Sequence, residues 1–267
     1  MTSSDVVLFE ERDAVATVTL NRPALHNAFN DEVVTSLGAV WERVRKSKET
    51  RVVVIKGAGP SFSGGGDLDY MRKAGAASRE QNLAGTKAMA EMLRSLRDLP
   101  QAIVALVHGN CMAGATGVVA AADIAIGTES ARFAFSEVRL GLTPATISPH
   151  VVAAIGVRNA QKYFLTGERF PAKEARRIGL LHEVVADEAA LAGRGSEIAA
   201  MLLQGAPGAV ADIKKLIREV SGRPLDEAMI ASTAANIAER MASSEGQEGL
   251  TSFFEKRKPN WVREPKE

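Results

Sequence analysis

The chain has 267 residues, 46% of them apolar, and its 33 basic and 32 acidic side chains leave a formal charge of +1. That balance supplies no field to gather nucleic acid or an anionic membrane, and the single cysteine, Cys111, has neither a disulfide partner nor a paired Cys/His spacing for zinc. No apolar run approaches the roughly 18 residues of a membrane span, and residues 1–13 lack the basic and hydrophobic regions of a signal peptide, so the expectation is a soluble enzyme of the reduced cytoplasm.

Residues 6–12 and 15–21 read as strands around a tight turn at Asp13. Residues 31–48 place Val33, Val34, Leu37, Val40, Trp41 and Val44 on one helical stripe, and residues 78–99 do the same with Met89, Met92, Leu93 and Leu96. Residues 52–56 and 103–107 are short apolar runs typical of buried strands. Alternation of strand and helix predicts an α/β fold with a largely parallel sheet and crossover helices. Beyond about Pro149 nearly everything reads as helix: 159–165, 172–177, 188–203, 209–220, 225–241 and 245–256, with only 181–185 strand-like. Several of these helices are rich in alanine and methionine, and the expectation is that they pack on another subunit rather than form a separate core.

Gly64, Gly65 and Gly66 follow the strand at 52–56 and precede a helix-compatible stretch at 67–73. Glycine there lets backbone N–H groups approach a ligand closely; an isolated triplet also reads as a plain flexible turn. It is not a dinucleotide fingerprint, because the glycines are consecutive. Residues 113–117 follow the strand at 103–107 and open an apolar run whose helix would direct its amides and positive dipole end toward Gly114. A tight packing turn is the competing reading, but two such turns after two successive buried strands point to a shared oxyanion site. Glu137 stands in sequence among Phe133, Phe135, Val138 and Leu140. Apolar company would raise its pKa and suit it to general acid/base work; otherwise it is a solvated loop acid. Asp123 reads as a backbone pin, and His26, His108, His150 and His182, lacking ligand spacing, as structural or surface residues.

These pieces resemble a family. Asn21, Arg22, Pro23, Asn27 and Ala28, then Phe62 through Leu68, Gly114 through Asp123, Ser136 through Pro144, and finally Phe253 through Pro259, are similar in order to the crotonase superfamily of enoyl-CoA hydratases and isomerases. The resemblance implies a right-handed spiral of βαβ units carrying an acyl-CoA site (residues 1–200) and a helical C-terminal trimerisation region (201–267). It implies a homotrimer or homohexamer. The ligand would be an acyl-CoA thioester, its oxygen held by the N–H groups of Gly66 and Gly114. Leu25, His26, Gly64, Asp67 and Leu68 would line the bent CoA, and Phe253 and Lys256 would approach its adenine or phosphate end, from a neighbouring subunit. Glu137 would move protons as water adds to the double bond. No metal and no redox cofactor is implied, since CoA is part of the substrate.

The chain departs from the family pattern where the better-known hydratases carry a first glutamate, a position occupied here by Gly117. Ala145, Thr146, Ile147, Ser148 and Pro149 replace a glycine-rich loop. The local pattern resembles bacterial methylglutaconyl-CoA and isohexenylglutaconyl-CoA hydratases of leucine and isoprenoid breakdown, with Glu137 serving as both base and acid. A branched acid substrate would need a cation or hydrogen-bond donor near the pocket, for which Arg139 and His150 are nearest in sequence to Glu137 and the loop at 146–149. The alternatives are a double-bond isomerase using one glutamate and a non-catalytic acyl-CoA-binding scaffold.

Overall fold

The protein is described here by a computed structural model covering residues 6–262. In chain order the elements are β1 (Val7–Arg12), β2 (Val15–Leu20), α1 (Asp31–Lys46), β3 (Val52–Gly57), α2 (Leu68–Ala76), α3 (Arg79–Arg97) and β4 (Ala102–Val107). Next come β5 (Asn110–Met112), α4 (Gly114–Ala121), β6 (Ile124–Thr128), β7 (Arg132–Ala134), α5 (Ser148–Thr166), β8 (Phe170–Pro171), α6 (Ala172–Arg177), β9 (Glu183–Val185) and α7 (Glu188–Leu202). Three helices end the chain: α8 (Pro207–Val220), α9 (Glu227–Ala242) and α10 (Ser244–Phe254).

One sheet runs β1-β2-β3-β4-β6-β9, antiparallel only at the β1/β2 hairpin, where Asp13 and Ala14 take positive φ to close the turn. A second sheet runs β5-β7-β8. The helical stripe read in α1 is realised: Asn30 caps it by accepting from the Val33 N–H at 3.0 Å, and Val33, Leu37, Trp41 and Val44 are buried. In α3, Met92, Leu93 and Leu96 are buried behind a capping box formed by Ser78 and Gln81.

Short strands escaped the sequence pattern. β5, β7 and β8 have three, three and two residues, too few for alternation to register, and β6 interrupts its apolar run with glycine and alanine. The helix expected at 159–165 begins earlier, at Ser148, and breaks at Gly156, where φ is +73°. The expectation for the alanine-rich helices needs correcting at α7. Its Leu191, Ile198 and Ala199 bury against Val52, Val54, Val104, Leu106 and Ile126, completing a second core on the chain's own sheet. α8 is tethered there as well, by Lys214, whose Nζ donates to Asp123 Oδ2 and to the Gln101 carbonyl, each at 2.7 Å. Asp123 also accepts from the Ile103 N–H at 2.8 Å, so it does pin backbone.

Trp41 is fully buried between α1 and the sheet core, and its Nε1–H has no acceptor among the described residues. Trp41→Ala is expected to cost about 3–5 kcal/mol in urea unfolding, the usual toll of a vacated aromatic site. Trp41→Phe, which removes the unpaired donor and keeps most of the volume, should cost well under half as much.

Candidate active site

Two glycine turns and one carboxylate leave the second sheet side by side. Ser63 bridges Cys111 in parallel, with the Ser63 N–H donating to Asn110 O at 2.9 Å and the Met112 N–H to Ser63 O at 3.1 Å. β5 in turn pairs in parallel with β7, Met112 opposite Ala134, and the Ala113 N–H donates to Ala134 O at 2.8 Å. The segments that follow are therefore Gly64–Gly66, Gly114 at the start of α4, and Glu137 in a 3-10 helix, Glu137–Leu140.

In the first turn, Gly64 N–H donates to His26 O at 2.7 Å, Gly65 N–H to Ser63 Oγ at 3.2 Å and Asp67 N–H to Phe29 O at 2.9 Å. Among the described residues the Gly66 N–H alone in this stretch has no acceptor. Gly65 must be glycine: its φ is +97°, and a Cβ there would stand 3.2 Å from Met112 O. Asp67 closes the turn. Its Oδ1 accepts from the Asp69 and Tyr70 amides at the start of α2, and its Oδ2 pairs with Arg22 at 2.9 Å. The Tyr70 amide, with the Arg22 guanidinium, holds this carboxyl below the usual range.

In the second turn, Ala113 has φ +46° and ψ −122°, a conformation costly for a residue with a Cβ. It is held by its own N–H to β7 and by Thr116, whose Oγ1 donates to Ala113 O at 2.5 Å. This kink leaves the amides of Gly114 and Ala115 without acceptors among the described residues, at the positive end of α4. Met71 and Met89 wall the two turns: a Cβ at Gly66 would stand 3.2 Å from Met71 Sδ, and one at Gly114 would stand 3.2 Å from Met89 Cε.

Glu137 is half-buried, with Oε2 out of water and lacking any hydrogen-bond partner among the described residues. Desolvation pushes its carboxyl above the ordinary glutamate range. The company is not quite that of the sequence reading, since Val138 and Leu140 are exposed. Phe133 and Phe135 are buried and turn the other way, Phe133 stacking on Phe170 at 5.7 Å and Phe135 meeting the edge of Phe164 at 5.0 Å. They anchor β7 and the residues that lead from it to Glu137.

Residues 10–264 match the family model for enoyl-CoA hydratase/isomerase. The chain belongs to that family, within the crotonase superfamily. It is 33% identical over 256 residues to the enoyl-CoA hydratase EchA19 of Mycobacterium tuberculosis, covering 95% of each chain. An enoyl-CoA hydratase from Shewanella pealeana superposes with a TM-score of 0.92 at 36% identity over 96% of each chain. AtuE of Pseudomonas aeruginosa superposes equally well, 0.92 at 37% identity, over 97% of this chain and 100% of that one.

In this crotonase the missing first glutamate has a steric cause. A Cβ at Gly117 would lie 2.3 Å from Ile147 Cγ2 and 3.3 Å from Leu93 Cδ1, so α4 has no room for a side chain there while α5 stays in place. Nothing local in the sequence signals this, because Ile147 is 30 residues away. Of the CoA-lining residues expected, Gly64 and Asp67 are in the first turn, His26 contacts Ser61 Oγ through Nδ1 at 3.0 Å, and Leu25 and Leu68 are exposed beside them. Phe253 and Phe254 form an exposed edge-to-face pair at 5.8 Å near Lys256, on a helix that packs against α9 and not on the glycine turns. Arg139 runs over Gly167, whose Cβ would stand 3.2 Å from its Nε. His150 lines a cavity of about 530 Å³ with Asp123 and Lys214, at the end of α4 away from Gly114.

Because the folded-state pKa of Glu137 is raised, ionising it costs stability, and that cost grows as pH rises from the unfolded value through the folded one. Glu137→Gln is expected to raise the Tm at neutral pH. Near pH 4, where the wild-type acid is largely protonated in both states, the gain should vanish. Thermal unfolding of both proteins across that range checks the sign.

Proposed function

We propose that the protein is an enoyl-CoA hydratase that adds water across the 2,3 double bond of a short, uncharged enoyl-CoA thioester. The observation that carries this reading is the pair of acceptor-free amides, Gly66 and Gly114, on adjacent turns beside a desolvated carboxylate with a free oxygen. In this reading the thioester oxygen accepts from both amides, which draws electron density from the β-carbon and stabilises the enolate formed when water adds there. Glu137, ionised, takes the proton from the attacking water and then returns one to the α-carbon, acting in turn as base and acid. Leu25, His26, Gly64, Asp67 and Leu68 line the CoA, and CoA enters as part of the substrate.

The acyl preference is argued from the walls. Met71, Met89, Leu93 and Ile147 are the side chains that meet Gly66, Gly114 and Gly117, and all are apolar. A branched acid such as methylglutaconyl-CoA would bury its carboxylate there with no cation among these side chains. The expected result is a kcat/KM for crotonyl-CoA at least about tenfold above that for methylglutaconyl-CoA; the reverse order would restore the acidic substrate. A second reading, a double-bond isomerase, is favoured by the same Ile147 that excludes a carboxylate at Gly117, because one base suffices to shuttle a proton between carbons.

We also propose a homotrimer or homohexamer in which α8–α10 meet neighbouring subunits. Leu225, Ile230, Ile237, Phe253 and Phe254 are exposed on or beside these helices, an unusual concentration of large apolar groups. Phe253 and Lys256 would then reach the adenine or phosphate end of a neighbour's CoA.

Turnover of crotonyl-CoA in heavy-oxygen water is expected to put label into the product; unlabelled product would mean isomerisation. Glu137→Gln should lower kcat at least about a hundredfold with CoA binding kept. Gly114→Pro should lower it by a similar factor of about 10²–10³, since proline is tolerated at the first residue of a helix and removes the N–H; Gly114→Ala, which meets Met89 Cε in the same way but keeps the N–H, is the control and should lose far less.

A further inference from the structure

We infer that Arg22 is a positioning residue for the oxyanion site: its ion pair with Asp67 keeps the Gly66 amide aimed at the thioester oxygen. The inference rests on the proposed role of Gly66 as a donor. A backbone donor of this kind poses a particular problem. Gly66 has no side chain by which to be held, and its own N–H must stay free, so its direction is set wholly by the residues on either side.

On the N-terminal side the ladder to Asn110, His26 and Phe29 serves. On the C-terminal side the anchor is Asp67, and among the described residues Arg22 is the cation paired with it. The pair is 2.9 Å long and nearly sealed from water, the two side chains being 15% and 12% exposed, so solvent screens it little. Arg22 is itself clamped. Its second guanidinium nitrogen donates to Ala28 O at 2.6 Å, its N–H donates to Asn27 Oδ1 at 2.7 Å, and its carbonyl accepts from the Leu25 and Asn27 amides. The Asn27 Nδ2 then donates to Ala58 O and Ser61 O, on the loop that leads into the glycine turn. One side chain thus joins the segment before α1, the loop after β3 and the residue that follows the donor.

The charge of Arg22 therefore acts on transition-state binding through Gly66, without touching substrate. A misaimed donor weakens the enolate more than the ground-state thioester, so the loss belongs in kcat. Arg22→Met should lower kcat about 10–100-fold with KM changed less than about threefold. Arg22→Lys, which can reach Asp67 but not Ala28 O at the same time, should fall between.

The distinguishing readout is the infrared carbonyl band of bound butyryl-CoA carrying carbon-13 at the thioester. In the wild type the band should lie below that of the free thioester; in Arg22→Met the shift should shrink, and in Arg22→Lys partly return. Asp67→Asn keeps an acceptor for the Asp69 and Tyr70 amides and removes the charge, so it carries the test if Arg22→Met does not fold. The double variant should be little worse than either single one, as for two halves of one interaction. A band that stays fully shifted in folded Arg22→Met or Asp67→Asn overturns the inference, as does a rise in KM with kcat intact. A wild-type band with no shift overturns the donor role of Gly66 itself.

Discussion

The architecture around the site is governed by one constraint: backbone amides must be kept free of acceptors, at an exposed Gly66 and a half-buried Gly114, and yet be held rigidly. Backbone N–H groups in folded protein ordinarily find partners. Here the amides on either side of Gly66, and the one before Gly114, are engaged. Around Gly66 they go to Asn110, His26, Ser63 Oγ and Phe29; before Gly114 the Ala113 amide goes to Ala134. The parallel bridges from Ser63 to Cys111 and from β5 to β7 make one continuous support, so the two proposed donors and the segment that leads from β7 to Glu137 share a frame. The strained backbone of Ala113 and the left-handed Gly65 are where that frame bends to leave the amides open.

The carboxylate obeys the complementary rule. Glu137 Oε2 is out of water without a donor, which raises its pKa and keeps the group reactive toward protons. Its position is secured from behind by aromatic packing, with Phe133, Phe135, Tyr163, Phe164 and Phe170 joined ring to ring across β7, α5 and β8. Stability is concentrated there, behind the site. The carboxyl is the locally destabilised element, a division that suits a group meant to change charge. The packing of Ile147 against Gly117 belongs to the same economy of space, since an aliphatic group fills α4's flank where a side chain at position 117 would stand.

Much of this was legible from residue order. The stripes of α1 and α3, the hairpin at Asp13, the buried strands β3 and β4 and the run of late helices follow from periodicity, because each answers to neighbours within a few residues. Gly64–Gly66, Gly114 and Glu137 could be singled out for the same reason: glycine frees local backbone, and a glutamate beside phenylalanines is conspicuous. Less could be read where burial is decided at long range. Val138 and Leu140 look like apolar walls in sequence and are exposed in the fold, while β5, β7 and β8 are too short to carry a period. α7 lacks bulky residues, yet completes a core because the sheet supplies the other half.

The sequence by itself determined most of the longer helices and strands, which turns can present bare amides, and that Gly117 stands where the resemblance places a glutamate; these depend on local sterics and on the identity of single residues. The tertiary structure alone decided that the two turns lie against each other, that Arg22 reaches Asp67 across 45 positions, and that Ile147 occupies the space beside Gly117. It also set Arg139 over Gly167 and His150 in a cavity with Asp123 and Lys214. The physical reason is common to all of these. Direction and proximity between distant segments are set by sheet register and close packing, and neither is encoded in the neighbourhood of any one residue.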